Sequence, residues 1–324
     1  MTGLIGPLVF GAVLGLMAVM APAQTAPAYA AKPIRLLLPY TSGGPADLIA
    51  RAVTDKISVA LAQSIVFEHR PGAGGNVAME LVAKSLPDGY TLLFGGPAVA
   101  INGALYTKLA FDPLKDSVPI SLAAIGPYAV YGTATLPIET IADFIAHAEA
   151  KPGQLNFASV GIGSGTHLAA VLFGLAAGIQ MTHVPYKGLQ QIAPDLVAGQ
   201  VHLTLSGIGP LAGFVQSGKV RLLAMSGPKR LANFPNVPIL AETVAGFDVG
   251  GWYGFFAPAN TPRAILQRLN GDIVNALKQP DLSDRIEKMA LFAAPQSLEE
   301  AARFVQSEPD KSGRAVRASG ASAE

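Results

Sequence analysis

The sequence predicts a two-lobed α/β protein whose lobes each contain a mostly parallel sheet flanked by helices. Short apolar runs alternate with amphipathic stretches, and strands that alternate with helices favour parallel sheets with crossover connections. Two stretches are typical of joints, "PYAVYGTATLP" at 127–137 and "GGWYGFFAPANTP" at 250–262. The segment between them has the size of a domain inserted into another domain. We therefore expect a first lobe from 31–130 and 252–324, and a hinged second lobe from 131–251.

The period of the apolar positions assigns the elements in chain order. Strands are predicted at 34–38, 64–69, 91–94, 128–132, 155–158, 201–205 and 220–225. Helices are predicted at 45–63, 76–85, 139–150, 166–177, 188–198 and 262–278. In the first helix we expect Leu48, Ala52 and Val59 to face inward.

The composition excludes several classes of function. The chain has 324 residues, of which 50% are hydrophobic, enough for one large core or two smaller ones. A net charge of +1 gives nucleic acid no electrostatic reason to bind, so we predict no nucleic-acid partner. The absence of cysteine excludes disulfides, thiol catalysis and cysteine-ligated metals.

The first thirty residues predict export to the periplasm. Residues 1–30 carry no charged side chain, and residues 4–20 are almost wholly apolar. Ala28 and Ala30 form an A-x-A pattern that predicts cleavage of a signal peptide, residues 1–30, before Ala31. No Lys or Arg precedes the apolar run, which leaves a start upstream of Met1 or a retained anchor as alternatives.

Glycine and small polar residues follow several predicted strands, immediately before a helix. The stretches are "YTSGGP" at 40–45, "RPGAGGN" at 70–76, "FGGPA" at 94–98 and "ASVGIGSGTH" at 158–167. Ligands of open α/β sheets bind at this edge. Helix N-termini with accessible amides attract a carboxylate or phosphate without needing Lys or Arg. These loops therefore predict an anion site.

Helix capping is the alternative explanation of the same loops. Gly44 and Pro45 suit the N-cap and the first helical position, and Asp47 suits the first turn. Ser164 likewise suits an N-cap. "GIGSGT" at 161–166 contains more glycine than a cap requires, and such loops occur in both predicted lobes. Both facts favour ligand binding.

The sequence contains no familiar catalytic pattern. G-x-S-x-G, G-x-G-x-x-G and the Walker A lysine motif are absent, and no pair of histidines has zinc-helix spacing. Ser164, His183 and Asp195 supply the residue types of a triad without its local signature. We therefore predict no catalytic residue, no metal ligand and no cofactor.

Several long stretches resemble one family. They include "KPIRLLLPYTSGGPADLIAR", "FEHRPGAGGNVAMELVAKSLPDGYTLL", "KPGQLNFASVGIGSGTHLAAVLF", "HVPYKG", "DLVAGQVHLTL" and "WYGFFAPANTP". In this order the chain resembles the Bug or TctC-type periplasmic solute-binding receptors of tripartite tricarboxylate transporters. The resemblance implies the two-lobed "Venus flytrap" fold with two crossovers, a small organic carboxylate as ligand, and membrane permease subunits as partners. It also implies a receptor that is expected to be a monomer and not an enzyme.

The resemblance also indicates which residues bind the ligand. It places contacts on the loop after the first strand and on the loop from Gly161 to His167. With the glycine after the third strand and the end of the strand near 205, the predicted ligand-binding residues are Tyr40, Thr41, Ser42, Gly43, Gly44, Asp47, Gly96, Gly161, Gly163, Ser164, Thr166, His167 and Ser206.

This chain departs from the family pattern at two places. The family often carries an acidic residue at the position of Ser206, and Ala or Pro where this chain has Thr41 and Ser42. The serine predicts a ligand without a positive charge. Two other functions stay open on the sequence alone: a ligand-loaded partner of a membrane sensor kinase, and an enzyme on the same scaffold.

Overall fold

Two sheets organise the protein, one in each lobe. The structure is a computed structural model and describes residues 2–3, 29–227, 230–231, 234–247 and 249–319. Most of the predicted signal peptide, namely residue 1 and residues 4–28, lies outside the described residues.

The elements follow one another with short connections. The strands are β1 Ile34–Leu38, β2 Ile65–His69, β3 Thr91–Gly95, β4 Ser117–Pro127, β5 Ala129–Thr133, β6 Leu155–Ser159, β7 Met181–Pro185, β8 Leu203–Ser206, β9 Val220–Met225, β10 Gly250–Pro258 and β11 Phe292–Ala293. The helices are α1 Pro45–Leu61, α2 Asn76–Ala83, α3 Ala98–Leu105, α4 Ile141–Ala150, α5 Gly165–Ala177, α6 Leu189–Ala198, α7 Ala212–Gln216, α8 Arg263–Leu277, α9 Pro280–Glu287 and α10 Leu298–Ser319.

The first lobe is a six-stranded sheet in the order β11-β4-β10-β3-β1-β2. Side chains alternate across β1, so that Leu36 and Leu38 face a core shared with α1, α8 and α9. Leu37 faces the opposite core, which contains α2 and residues of α3. The strand is therefore apolar on both faces, as a central strand between two helix layers must be.

The second lobe is a five-stranded sheet in the order β7-β6-β8-β5-β9. Phe144 of α4 and Phe173 of α5 pack on one face, and Ile192 and Leu196 of α6 pack on the other. The chain enters this lobe between β4 and β5 and leaves it between β9 and β10. The predicted two-lobed α/β architecture is confirmed. Both sheets are mixed rather than mostly parallel, because β10 and β5 pair antiparallel with their neighbours.

Three details differ from the sequence predictions. Residues 250–258, interpreted as part of a joint, form the inner strand β10. The segments at 98–105, 117–127, 181–185, 280–287 and 298–319 are helices or strands that the pattern did not assign. The inward face of α1 contains Ile49, Val53 and Ile57, whereas Leu48 and Val59 are exposed at 38% and 81%.

The two lobes touch each other along the cleft. Gln190 at the start of α6 donates from Nε2 to the carbonyl of Ser42 (3.1 Å). On the other side, the Tyr106 hydroxyl donates to the carbonyl of Ile162 (3.0 Å). Val316 of α10 packs in one cluster with Leu105 of the first lobe and Leu168 of the second. The structure therefore shows the closed arrangement of the lobes. Among the described residues, no helix is both long and apolar enough to cross a membrane.

Gly188→Ala tests closure without disturbing either lobe. Gly188 has an extended backbone (φ −174°) that alanine adopts freely, but an added Cβ would lie 2.0 Å from Thr41 Oγ1 of the opposite lobe. We expect an unchanged melting temperature and a larger radius of gyration in small-angle scattering. Gly213→Ala, where nothing lies within 4 Å of an added Cβ, is the matched control. The added variant Thr41→Ala should restore compaction, and a Gly188→Ala protein as compact as wild type would contradict the closed contact.

Candidate functional site

A cavity of about 60 Å³ lies between the lobes. Its wall comes from both lobes and contains no charged side chain among the described residues. The lining residues are Tyr40, Thr41, Gly44, Pro45, Ala46, Pro97, Tyr128, Val160, Gly165, Thr166, Gly188, Leu189, Gln190, Ser206, Gly207, Trp252 and Tyr253. Aromatic and aliphatic side chains, hydroxyl groups, the Gln190 amide and glycine backbone therefore form this wall.

Four helices begin at this wall. Pro45 and Ala46 open α1, Pro97 precedes α3, and Gly165 and Gly188 stand at the starts of α5 and α6. The first amides of a helix lack carbonyl partners within the helix, and the helix dipole places positive potential there. The cavity consequently favours an anion although no cation lines it.

The first-lobe loop, residues 40–44, is held from behind by Asp47. Its Oδ2 accepts hydrogen bonds from the Gly43 amide (3.0 Å) and Arg51 Nε (3.1 Å), and its Oδ1 lies 2.8 Å from His69 Nε2. Burial raises the pKa of Asp47, but the bonds from Gly43, Arg51 and His69 outweigh burial and leave this pKa below its usual value. Asp47 is absent from the cavity wall, so it acts on the loop and not through the cavity.

The second-lobe loop, residues 160–164, joins β6 to α5. Gly161 and Gly163 have φ values of +114° and +83°, which side-chain-bearing residues rarely adopt. Ser164 is the N-cap, with its Oγ accepting from the His167 amide (3.2 Å). Thr166 reaches the wall and accepts the Val160 amide on Oγ1 (3.1 Å). Capping and cavity formation thus occur in the same loop, and the two explanations of its sequence are compatible.

Three tyrosines, Tyr40, Tyr128 and Tyr253, line the cavity. Burial raises the pKa of all three, and the proximity of Tyr253 raises the pKa of the other two further. Burial raises the pKa of Tyr253 to about 12. Within the described residues none of the three hydroxyls has a hydrogen-bond partner. At neutral pH the three hydroxyls are protonated and can donate hydrogen bonds.

The structure distributes the predicted residues around the cavity. Five lie on its wall: Tyr40, Thr41, Gly44, Thr166 and Ser206. The others support that wall and are absent from it: Ser42, Gly43, Asp47, Gly96, Gly161, Gly163, Ser164 and His167. His167 faces a different cavity on the outside of the second lobe. Ligand contact at each of the thirteen positions stays a prediction.

The residues of the hypothetical triad do not come together. His183 Nε2 lies 2.7 Å from the hydroxyl of Ser159 and not of Ser164. Asp195 accepts a hydrogen bond from the Tyr186 hydroxyl instead. No group of three or more His, Asp or Glu in the described part of the chain is arranged to hold a metal.

Comparisons with known proteins identify the family of this chain. The family model described as "Tripartite tricarboxylate transporter family receptor" matches residues 49–321. The chain belongs to this receptor family. Protein BugT of Bordetella pertussis is 30% identical to the receptor over 97% of both chains. The resemblance to TctC and Bug proteins is confirmed.

Two solved structures share the receptor's fold. One is described as R. palustris Rpa4515 with adipate; it has a TM-score of 0.87 and 30% identity, covering 91% of the receptor and 99% of that chain. The other is MatC from Rhodopseudomonas palustris with bound malate, with a TM-score of 0.81 and 31% identity over 88% and 99% of the two chains. These neighbours confirm the fold of a two-lobed periplasmic binding protein.

Sequence reasoning missed twelve of the seventeen residues on the wall of the receptor's cavity. Tyr128, Trp252 and Tyr253 lie in the stretches that were interpreted as joints, and Gln190 lies in a predicted helix start. The signal that pointed to them was the only tryptophan beside a tyrosine at a lobe boundary. A joint between lobes is also the floor of a cleft, so aromatic residues there were candidates for the site.

Asp47→Asn tests the support of the first-lobe loop. The side-chain amide of the asparagine would place its NH₂ group against one of the three groups that pair with Asp47, namely the Gly43 amide, Arg51 and His69. We therefore expect a loss of about 1–3 kcal/mol in the free energy of unfolding at pH 7 and weaker ligand binding. Since the folded-state pKa is lowered, the carboxylate's contribution is complete above the unfolded pKa near 4 and is lost as pH falls through the lower folded value. Urea titrations at pH 7 and pH 3 should therefore show a difference between wild type and variant that shrinks in acid.

Asp272→Asn is the matched control, because Asp272 makes the same pairing with an arginine four residues away (2.8 Å) and is not in the loop. Equal losses of stability in both variants, with unchanged ligand binding in Asp47→Asn, would show that Asp47 has no specific role in the loop.

Proposed function

We propose that the receptor captures a short organic carboxylate without a positive charge between its closed lobes and delivers it to the membrane permease of a tripartite tricarboxylate transporter. The observation that carries this proposal is the uncharged cavity at which four helices begin. A carboxylate satisfies helix amides and hydroxyl donors together, whereas an ammonium group would find no carboxylate on this wall.

The donor set is sufficient for binding an anion. A helix N-terminus stabilises a negative charge by about 0.3–1 kcal/mol when exposed and up to about 2 kcal/mol when partly buried. The protonated hydroxyls of Tyr40, Tyr128 and Tyr253 add donors that a charged ligand uses more strongly than a neutral one. Both lobes contribute, so the set is complete only when the lobes close.

The size of the cavity favours a compact ligand. About 60 Å³ in the closed lobes leaves room for a short aliphatic chain. The solved relatives were found with adipate and malate, which supports carboxylates as the chemical class. We propose a ligand nearer to malate than to adipate in length.

Ser206 supports the absence of a positive charge on the ligand. It lies on the cavity wall and is only 2% exposed. An acidic residue at this position would bind an ammonium group and repel a second carboxylate, and serine does neither.

Ser206→Asp tests the ligand class directly. We expect wild type to bind succinate in preference to aspartate, and the variant to bind succinate at least tenfold more weakly. Two like charges about 4 Å apart repel by up to about 4 kcal/mol at an effective dielectric constant near 20. Isothermal titration of both proteins with succinate, malate, adipate and aspartate measures these affinities.

Ser206→Asn separates charge from size, because asparagine has the shape of aspartate without its charge. It should bind succinate more tightly than Ser206→Asp does. A wild type that prefers aspartate, or equal affinities in the two variants, would contradict the proposed ligand class.

Export of the receptor is part of the same proposal. The contacts of Tyr29 indicate where the processed chain begins. Its hydroxyl donates to the carbonyl of Gly89 (2.7 Å), its ring lies 5.3 Å from that of Tyr90, and the neighbouring Ala30 is buried. Cleavage before Ala31, as the A-x-A pattern predicts, would delete these contacts, so we propose an earlier cleavage site instead. The sequence also contains Ala-Pro-Ala at 21–23 and 26–28, and cleavage after either retains Tyr29. We expect the intact mass of periplasmic protein from a Gram-negative host to show a chain that begins at Tyr29 or earlier; a chain that begins at Ala31 would contradict this.

A further inference from the structure

Two histidines hold the second-lobe loop from the side opposite the ligand cavity. His167 Nδ1 accepts a hydrogen bond from the Gly163 amide (3.3 Å). His183 Nε2 pairs with the Ser159 hydroxyl (2.7 Å), whose oxygen also accepts the Gly161 amide (3.1 Å). The two glycines at positive φ are thus both fixed through imidazole-linked hydrogen bonds.

The imidazoles form one aromatic cluster with Phe157. The ring centroids of His167 and His183 are 4.2 Å apart, and the ring of Phe157 is stacked 4.8 Å from that of His183. Because the two rings are so close, a proton on one disfavours a proton on the other, and the pair titrates as a unit.

An outer cavity of about 430 Å³ brings solvent to both rings. Its other described lining residues are uncharged: Phe157 from β6, Ala170, Val171, Gly174 and Leu175 from α5, and Ile179, Gln180 and Met181 around the start of β7. Each imidazole therefore has the other as its titratable neighbour. Burial lowers the pKa of His167 to about 4, and burial with the proximity of His167 lowers that of His183 to about 3.

Protonation of His167 conflicts with its hydrogen bond. In the neutral ring Nδ1 is an acceptor and Nε2 carries the hydrogen, whereas in imidazolium both nitrogens are donors. The Gly163 amide would then face an N–H group and lose its acceptor. The loop also contacts the opposite lobe through the Ile162 carbonyl, which accepts from Tyr106 (3.0 Å). Loosening the loop would therefore weaken closure as well.

We propose that His167 and His183 are positioning residues of the second-lobe loop, and that the loop keeps its binding shape only while His167 is neutral, so that acid releases the ligand. The regulatory part of this inference rests on the proposed function of the cleft. In a loosened loop the exposed rings return toward the ordinary pKa of about 6.5. Affinity is therefore constant above about pH 6.5 and falls as the pH drops, because the loosened state binds more protons there.

His167→Asn is the decisive variant. Its Oδ1 offers an acceptor near the position of Nδ1 and cannot be protonated. We expect its affinity for succinate, expressed relative to its own value at pH 7, to fall between pH 7 and pH 4.5 about tenfold less than that of wild type. His167→Ala, which lacks the acceptor, should bind weakly at every pH.

His202→Asn is the matched control. His202 Nδ1 accepts the amide of Asn156 (2.8 Å), which is the same hydrogen bond at the opposite end of β6. This variant should keep the wild-type acid dependence. Ionisation of succinate is common to all the proteins and cancels in the comparison.

A ligand-free measurement separates this inference from the proposed function. The ¹H–¹⁵N resonance of Gly163, whose amide donates to His167, should titrate with pH in wild type and not in His167→Asn. If no carboxylate binds at any pH, the proposed function fails, and the Gly163 resonance still decides the role of His167. Equal titrations of the Gly163 amide in both proteins, or an acid dependence of affinity that His167→Asn does not change, would overturn the inference.

Discussion

The structure depends on one constraint: the wall between the lobes contains no charged side chain among the described residues, so an anion there must be held by amides and hydroxyls. Each such donor is weak alone, and several must converge on the same volume. Neither lobe provides the full set, because α1 and α3 begin in the first lobe and α5 and α6 begin in the second. For the proposed ligand, binding therefore favours closure of the lobes.

Amide donors act only if their loops keep one shape, and each lobe achieves this with a side chain behind the loop. Asp47 accepts the Gly43 amide in the first lobe, and His167 accepts the Gly163 amide in the second. The two supports differ in charge. Asp47 is an anion paired with Arg51, whereas His167 is neutral because burial lowers its pKa to about 4. The loops therefore respond to acid at different pH values although their geometry is alike.

Periodicity predicted the lobes and most element bounds within two or three residues, because apolar alternation and glycine-rich ends are local signals. It failed where the choice depends on packing partners. In α1 either of two rows of apolar residues could face the core. The packing of α8 and α9 against this helix determines that Ile49 and Ile57 face inward and Val59 outward. Strand β10 begins with two glycines, a tryptophan and a tyrosine, which we interpreted as a joint. Its pairing with β3 depends on residues far away in the sequence. Loop residues at strand ends were predictable, whereas the tyrosines from the crossovers were not.

The crossovers themselves carry part of the site. Tyr128 occupies the single position between β4 and β5, and Trp252 and Tyr253 follow the entry into β10. Gly251 lets the Tyr128 ring approach, since an added Cβ would lie 3.0 Å from it. A rotation of the lobes about these strands moves the Tyr128 hydroxyl relative to that of Tyr253. A ligand that bridged these two hydroxyls would therefore resist reopening at the axis of the motion as well as at the rim.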